Sequence, residues 1–211
     1  MATGAVSSLV VKDATATSKT LSKLTDPNNS SYLVPKVVED DALRIKGTYA
    51  TGANSFTLPA TPSDVVEIKG SATKTVRIKR IVVSGVATTA KQWPLQVIRR
   101  AASIADGTAV TPVVAAFDTG DAAATAVVRH FTALGTPAAA NPASSVLFAR
   151  DLTLTAPATA AQPIVFEFAT RGDKALVLRG AADCIVLNLG GGALTNGEKL
   201  SYEVEWEEDA S

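Results

Sequence analysis

The sequence predicts an all-β fold, an antiparallel β-sandwich of jelly-roll-like type with an extended N-terminal arm. Three observations carry that reading. Apolar residues recur with a period of two in short segments, the pattern of a strand with one buried face. The segments are bounded by Gly, Pro, Asn or Asp at strand-like spacing, and helical periodicity is almost absent. Hydrophobic residues make up 46% of the 211 positions but aromatics only 5%, so Ala, Val and Leu supply most of the apolar bulk. A core built that way is thin per residue, and burial against partner subunits would supplement it.

Residues 1–41 are rich in Ser, Thr, Asp and Lys and are broken by Asp26-Pro27-Asn28-Asn29. Leu9-Val10-Val11, Tyr32-Leu33-Val34 and Val37-Val38 offer short anchors, so the segment reads as an arm that leans on its own domain or on a neighbour. Residues 42–211 form the sandwich domain. LRIKGTYA, SFTLPA and DVVEIKG read as three short strands. The stretch Thr73 to Gly85 is the strand around which the rest is organised. Val76 and Ile78 alternate with Thr75, Arg77 and Lys79, then Ile81 and Val83 carry the apolar phase on from odd positions, which calls for a bulge or sharp twist near Arg80.

In Gln92 to Arg99, Trp93, Leu95 and Val97 share a face, and Pro94 argues for an edge strand or a strand start. Residues 101–111 read as a loop. PVVAAFD and ATAVVRHFTA flank Thr119-Gly120-Asp121 as a hairpin, with Phe131 in phase with Val127; the alanine-rich run from Asp121 to Ala126 fits strand or a helical turn, strand being preferred. After a Pro-broken connection come VLFARDLTLT, PIVFEFA, ALVLRG and CIVLNL. In the last segment, Leu200, Tyr202, Val204 and Trp206 alternate with Ser201, Glu203, Glu205 and Glu207, the clearest half-buried strand in the chain. The total is about ten strands.

Charge and motifs narrow the function. Lys plus Arg and Asp plus Glu both number 20, so no net field draws the chain to nucleic acid or to an anionic membrane. The beginning of the sequence lacks a basic region followed by an apolar run, and no stretch reaches membrane-spanning length, so no secretory route is expected and the sequons at Asn28-Asn29-Ser30-Ser31 carry no information. Cys184 reads as a small buried side chain. His130, the single histidine, reads as a surface or interface residue, because neither a zinc set nor a nucleophile motif accompanies it. Gly190-Gly191-Gly192 lacks the Lys-Ser/Thr of a phosphate loop and reads as a turn, as does Arg171-Gly172-Asp173. Glu203, Glu205, Glu207, Glu208 and Asp209 form an acidic row whose period-two spacing spreads the carboxylates instead of converging them on an ion. No metal, cofactor or catalytic residue is expected. The candidate core or interface residues are Trp93, Trp206, Tyr202, Arg77, Lys79, Glu203 and Glu205, with the basic and acidic rows expected to face each other across strands or across a subunit contact.

With EIKGSATKTVRI, the late VLRG and the terminal EVEWEE in view, the stretch from Ser55 to Glu208 resembles virion structural proteins encoded by tailed bacteriophages. The resemblance implies a β-rich, non-catalytic particle component that is oligomeric; it leaves capsid and tail both open. The leading expectation is a protein that decorates or cements a capsid as a homotrimer, with other copies of itself and the major capsid protein or other virion proteins as partners, located in the virion after assembly in the host bacterial cytoplasm. The alternative is a tail- or fibre-associated module that recognises a receptor or carbohydrate. That alternative needs an exposed aromatic platform, whereas Trp93 and Trp206 lie on apolar alternating faces.

Overall fold

The computed structural model describes residues 46–100, 102–136, 146–156, 159–169, 174–195 and 197–210, together with the backbone of two earlier strands. Those two, β1 (Leu9–Lys12) and β2 (Ser18–Leu21), pair antiparallel with Leu9 opposite Leu21. They fall in a compact unit spanning Met1–Asp41, and the rest of the chain forms a second unit, Ala42–Ser211. The arm's anchors at Tyr32-Leu33-Val34 and Val37-Val38, the sequons and the Arg171-Gly172-Asp173 turn lie outside the described residues.

The second unit is all-β, built from two six-stranded antiparallel sheets. Its strands are β3 (Gly47–Thr57), β4 (Asp64–Lys69), β5 (Lys74–Val86), β6 (Lys91–Arg100), β7 (Thr108–Val110), β8 (Ala115–Ala116), β9 (Val127–Ala133), β10 (Val146–Leu154), β11 (Ile164–Glu167), β12 (Leu176–Arg179), β13 (Cys184–Asn188) and β14 (Lys199–Ala210). The front sheet runs β11-β5-β14-β3-β8, with β12 also on β5; the back sheet runs β10-β6-β13-β4-β9-β7. From β3 to β6 successive strands alternate between the sheets, so neighbours in sequence face each other across the core. This crossing gives the sandwich its jelly-roll-like character. β13 then inserts between β4 and β6, and β14 between β3 and β5.

The period-two pattern fixes which side chains meet. Val76, Ile78, Ile81 and Val83 of β5 and Leu200, Tyr202, Val204 and Trp206 of β14 pack in one core cluster with Val66, Ile68, Val97, Ile185 and Leu187 from the back sheet. The phase slip in β5 is absorbed at Lys79: Glu205 pairs with Arg80 and Trp206 with Ile78, so Lys79 is the extra residue. Lys79 and Arg80 consequently both face outward. The outer edge of β5 divides at the same place, with β11 on Arg80–Val83 and β12 on Thr75–Ile78.

Several sequence expectations need correction. LRIKGTYA and SFTLPA are not two strands; the described part forms the single strand β3, bulged opposite Ser201, where Ser55 takes a φ of 49°. Residues 101–111 include β7, which pairs with β9. Pro94 lies in a strand with neighbours on both sides in the sheet, but β13 reaches only from Arg100 to Gln96, so at Pro94 the strand is locally an edge. No hairpin forms around Thr119-Gly120-Asp121, because β8 joins the front sheet and β9 the back sheet. The run from Asp121 to Ala126 is neither strand nor helix. Its backbone is engaged elsewhere: Ala122 O accepts from Tyr49 Oη (2.7 Å), and the Thr125 and Ala126 amides donate to Glu208.

His130 is buried, not at the surface. In β9 it is Val128 and His130 that point into the core, one residue out of phase with the expectation, and the slip turns Arg129 and Phe131 outward. His130 stacks on Phe56 at 4.3 Å between ring centroids, and its Nδ1 lies 3.2 Å from Tyr202 Oη. Burial holds its imidazole below the usual range. Glu208, expected on a solvated or subunit-facing surface with the rest of the acidic row, is 1% exposed because it continues the inward phase of Val204 and Trp206. Burial pushes its carboxyl up, but the amides of Ala126 and Thr125, the Thr125 hydroxyl and the Trp206 indole outweigh it, and the net shift is downward.

Two predictions follow from this packing. Trp206 is fully buried and tilted against Tyr49 at 5.8 Å, so Trp206→Ala should cost about 3–5 kcal/mol in chemical denaturation. A loss below about 1 kcal/mol would place the ring outside the core. Both His130 and Glu208 have lowered folded-state values, so each contributes stability at neutral pH that is lost as pH falls. Denaturation midpoints should decline first below about pH 6.5, where unfolded His protonates, and again below about pH 4.3 for Glu. His130→Phe should flatten the first decline and Glu208→Gln the second; an unchanged profile in either variant contradicts its assignment.

Candidate interaction surfaces

The outer face of the front sheet carries the basic and acidic rows, and the structure brings them together across the β5–β14 pairing. Lys79 Nζ lies 2.8 Å from Glu207 Oε1, and Arg77 Nε lies 2.6 Å from Asp209 Oδ2. Arg80, carried outward by the bulge, reaches Glu205 at 2.9 Å and Glu203 at 3.3 Å. Glu203 and Glu205 are therefore held by Arg80, and neither is paired with Arg77 or Lys79. Arg80 and Asp209 stand in the two rows by sequence, but the expected pairing between the rows did not include them. The bulge that signals Arg80 also explains its partners, since it advances the cation by one position along β14.

With Lys46 Nζ 3.5 Å from Asp209 Oδ1, four cations meet four carboxylates, and the ladder neutralises itself within one subunit. Each exposed pair contributes about 0.2–1 kcal/mol, so its main effect is to remove net charge from the face. Beside it, the bulge in β3 opens a groove of about 430 Å³ lined by Gly52, Asn54, Val82, Ser84, Ser201 and Glu203. Ser201 Oγ donates to Asn54 Oδ1 at 2.9 Å and accepts from the Ser55 amide at 2.9 Å. Tyr202 lends the groove backbone only, for its side chain belongs to the core, where burial raises its phenol well above the ordinary value. A Cβ at Gly52 would stand 2.3 Å from Tyr202 O, so only glycine lets β3 approach β14 there.

The back sheet has buried side chains on both faces of its central strands. Every residue of β13 is buried, and its outer face meets the segment after β6. Glu67 accepts from the Ile104 amide (2.8 Å) and from Arg129 Nε (2.6 Å), while Arg129 Nη2 donates to Ile104 O (2.5 Å). Asp64 takes a bidentate pair from Arg100 at 2.7 and 2.9 Å and a bond from Asn188 at 2.6 Å. Buried ions of this kind must be paired, and each here holds a strand or loop in register. None of these residues was singled out from the sequence, because both sides of β4 and β13 are covered and a period-two reading assumes one wet face. Cys184 is buried, and burial pushes its thiol up to about 12, which leaves it a poor nucleophile at neutral pH. Trp93 is buried with Lys91 Nζ 4.8 Å over its ring, and Trp206 donates its indole N–H to Glu208 at 3.1 Å. Gly190 and Gly191 form the expected turn, both at positive φ. Among the described residues no three His, Cys, Asp or Glu gather as a metal site.

Large apolar side chains that remain exposed lie on the two flanks of the sandwich. On one are Val146 and Phe148 of β10 and Val165 of β11; on the other are Val110 of β7, Val113 and Phe117 around β8, and Val127 at the start of β9.

If the ladder is a solvent-exposed network within one sheet, charge reversal at Arg77 and Lys79 together should lower the denaturation midpoint more at low salt than at high salt. Equal loss at both salt concentrations, or none, would contradict that reading. No protein-family model, curated protein or solved structure matches this chain.

Proposed function

We propose that the chain is a non-enzymatic virion structural protein of a tailed bacteriophage, which decorates or cements the capsid as a homotrimer. The observation that carries the proposal is the division of its surface. One sheet face is closed off by a self-neutralised ion-pair ladder, while the exposed large apolar residues lie on the flanks, where neighbouring subunits would meet. The segments behind the phage resemblance support the same reading. EIKGSATKTVRI falls on β4 and β5, VLRG on β12 and EVEWEE on β14, all of them elements of the framework. Its partners would be further copies of itself and the major capsid protein or other virion proteins, met in the bacterial cytoplasm during assembly, with the N-terminal arm as a strap. Neither nucleic acid nor membrane is a partner, and no cofactor is involved.

The groove beside Asn54, Ser84 and Ser201 favours a second reading, a tail- or fibre-associated module that binds a receptor or carbohydrate, since hydroxyls and an amide are the groups a sugar would meet. No aromatic ring lines it, which places this reading second. Electron cryomicroscopy of particles from the phage that encodes the chain separates the two. Density for the sandwich on the capsid exterior is expected; density confined to the tail would favour the binding module, and absence of the chain from purified particles would overturn both.

A further inference from the structure

We infer that this chain associates head to tail, the β10/β11 flank of one copy seating on the β7/β8 flank of the next. The inference takes the oligomer from the proposed function and names the surfaces that build it.

The two flanks lie at opposite ends of the strand order. β10 and β11 terminate the back and front sheets on one side, and β7 and β8 terminate them on the other. Among the described residues all four strands are paired along one edge only, which leaves backbone donors and acceptors on the other edge. Charge, proline and short length are the usual protection for such edges; β7, β8 and β11 are short, but both flanks present apolar side chains. Around β8 the chain alternates: Val114 and Ala116 pack on the core, while Val113, Ala115 and Phe117 point away from it. That outward row contains no polar residue, with Val113 93% and Phe117 63% exposed. A strand that is apolar on both faces has the composition of one covered on both faces. On the opposite flank Phe148 is 40% exposed although it contacts Phe166 at 5.7 Å and Phe168 at 5.5 Å, so an aromatic cluster reaches from the core to the surface.

The charges beside the two aromatics decide between like and unlike pairing. Arg150 shares the face of Phe148 two residues on, and Asp118 follows Phe117 directly; both are exposed, and neither has an ion-pair partner among the described residues. Asp118 Oδ1 accepts from the Gly120 amide at 2.8 Å, which holds the carboxylate in the turn that follows Phe117. A twofold contact on either flank would bring together two copies of the same patch, so Arg150 and Asp118 would not meet there. Seating Phe148 on Phe117 brings Arg150 to Asp118 instead. Unlike patches on one subunit make a heterologous interface, and a closed ring satisfies every patch.

Mass photometry and light scattering of the full-length chain at micromolar concentration test this directly. The wild type should be an oligomer larger than two. Phe148→Glu and Phe117→Glu should each be monomeric, because each leaves every copy with one dead flank. Mixed together, they should form a complex of two chains and no larger, since one intact flank remains on each. As a check that does not touch the aromatics, Arg150→Asp and Asp118→Arg should each reduce assembly at least tenfold, and the double exchange should restore it. A monomeric wild type overturns the inference, as does a dimer of either Phe variant by itself. Retention of wild-type mass by both Phe variants would assign the contact to another surface or to the N-terminal arm, and overturns it too. The readout is the mass of the purified chain, so this inference and the virion assignment can fail separately.

Discussion

The pairing of β14 with β5 and β3 is the interaction on which the rest of the structure depends. β3 and β5 are not paired with each other in the sheet; β14 lies between them from Lys199 to Glu208. The same holds one layer away, where β13 separates β4 from β6. Without the segment from Cys184 to Ala210 both sheets fall into halves, because every central hydrogen-bond ladder has one partner in it. A fold closed by its C-terminal pair of strands is rich in long-range contacts, and such topologies fold slowly, since the loops must close before the contacts that stabilise them form.

That insertion explains the buried carboxylate at its far end. An ionised group taken from water costs several kcal/mol unless donors surround it. Glu208 finds them in the backbone of the Thr125–Ala126 segment, in the Thr125 hydroxyl and in its own neighbour Trp206. The carboxylate thereby ties the irregular run before β9 to the central strand of the opposite sheet. Glu67 does the same for the segment at Ile104, and Asp64 for Arg100 and Asn188. A core poor in aromatics gains definition from these directional contacts, which reject a slipped register more sharply than interchangeable Val and Leu contacts do.

Much of this was legible in the sequence where one face is wet and the other dry. The alternation of β14 gave the inward set Leu200, Tyr202, Val204 and Trp206, and its next term, Glu208, stood in plain phase but was grouped by charge. The slip at Arg80 marked a real bulge, found at Lys79. His130 was misplaced because Val127 and Phe131, apolar and in one phase, looked like the inward set, and a one-residue slip exchanges every side chain of a strand between faces. Arg129 and Phe131 are themselves covered on the outside, so polarity could not report the face. The false hairpin at Thr119-Gly120-Asp121 had the right turn residues; what cancelled it was the assignment of its arms to different sheets, a property of the whole topology. The ladder was anticipated as facing rows, yet its register depended on the bulge and could not be counted off a regular strand.

The surface follows from the same framework. The central strands give a rigid body whose front face is neutralised by β5–β14 ion pairs, and the short terminal strands leave apolar flanks at either end, the distribution expected of a subunit that meets its neighbours edge to edge. All of this requires the β13–β14 insertion to be the most persistent part of the fold. Native-state hydrogen exchange measures that persistence residue by residue. The amides of β14 between Tyr202 and Glu207 should exchange only through global unfolding, with the same denaturant dependence as β5 and β13. Exchange of β14 by local opening, while β4 and β6 stay protected, would show that the sheets hold together without the closing strand and would contradict the account.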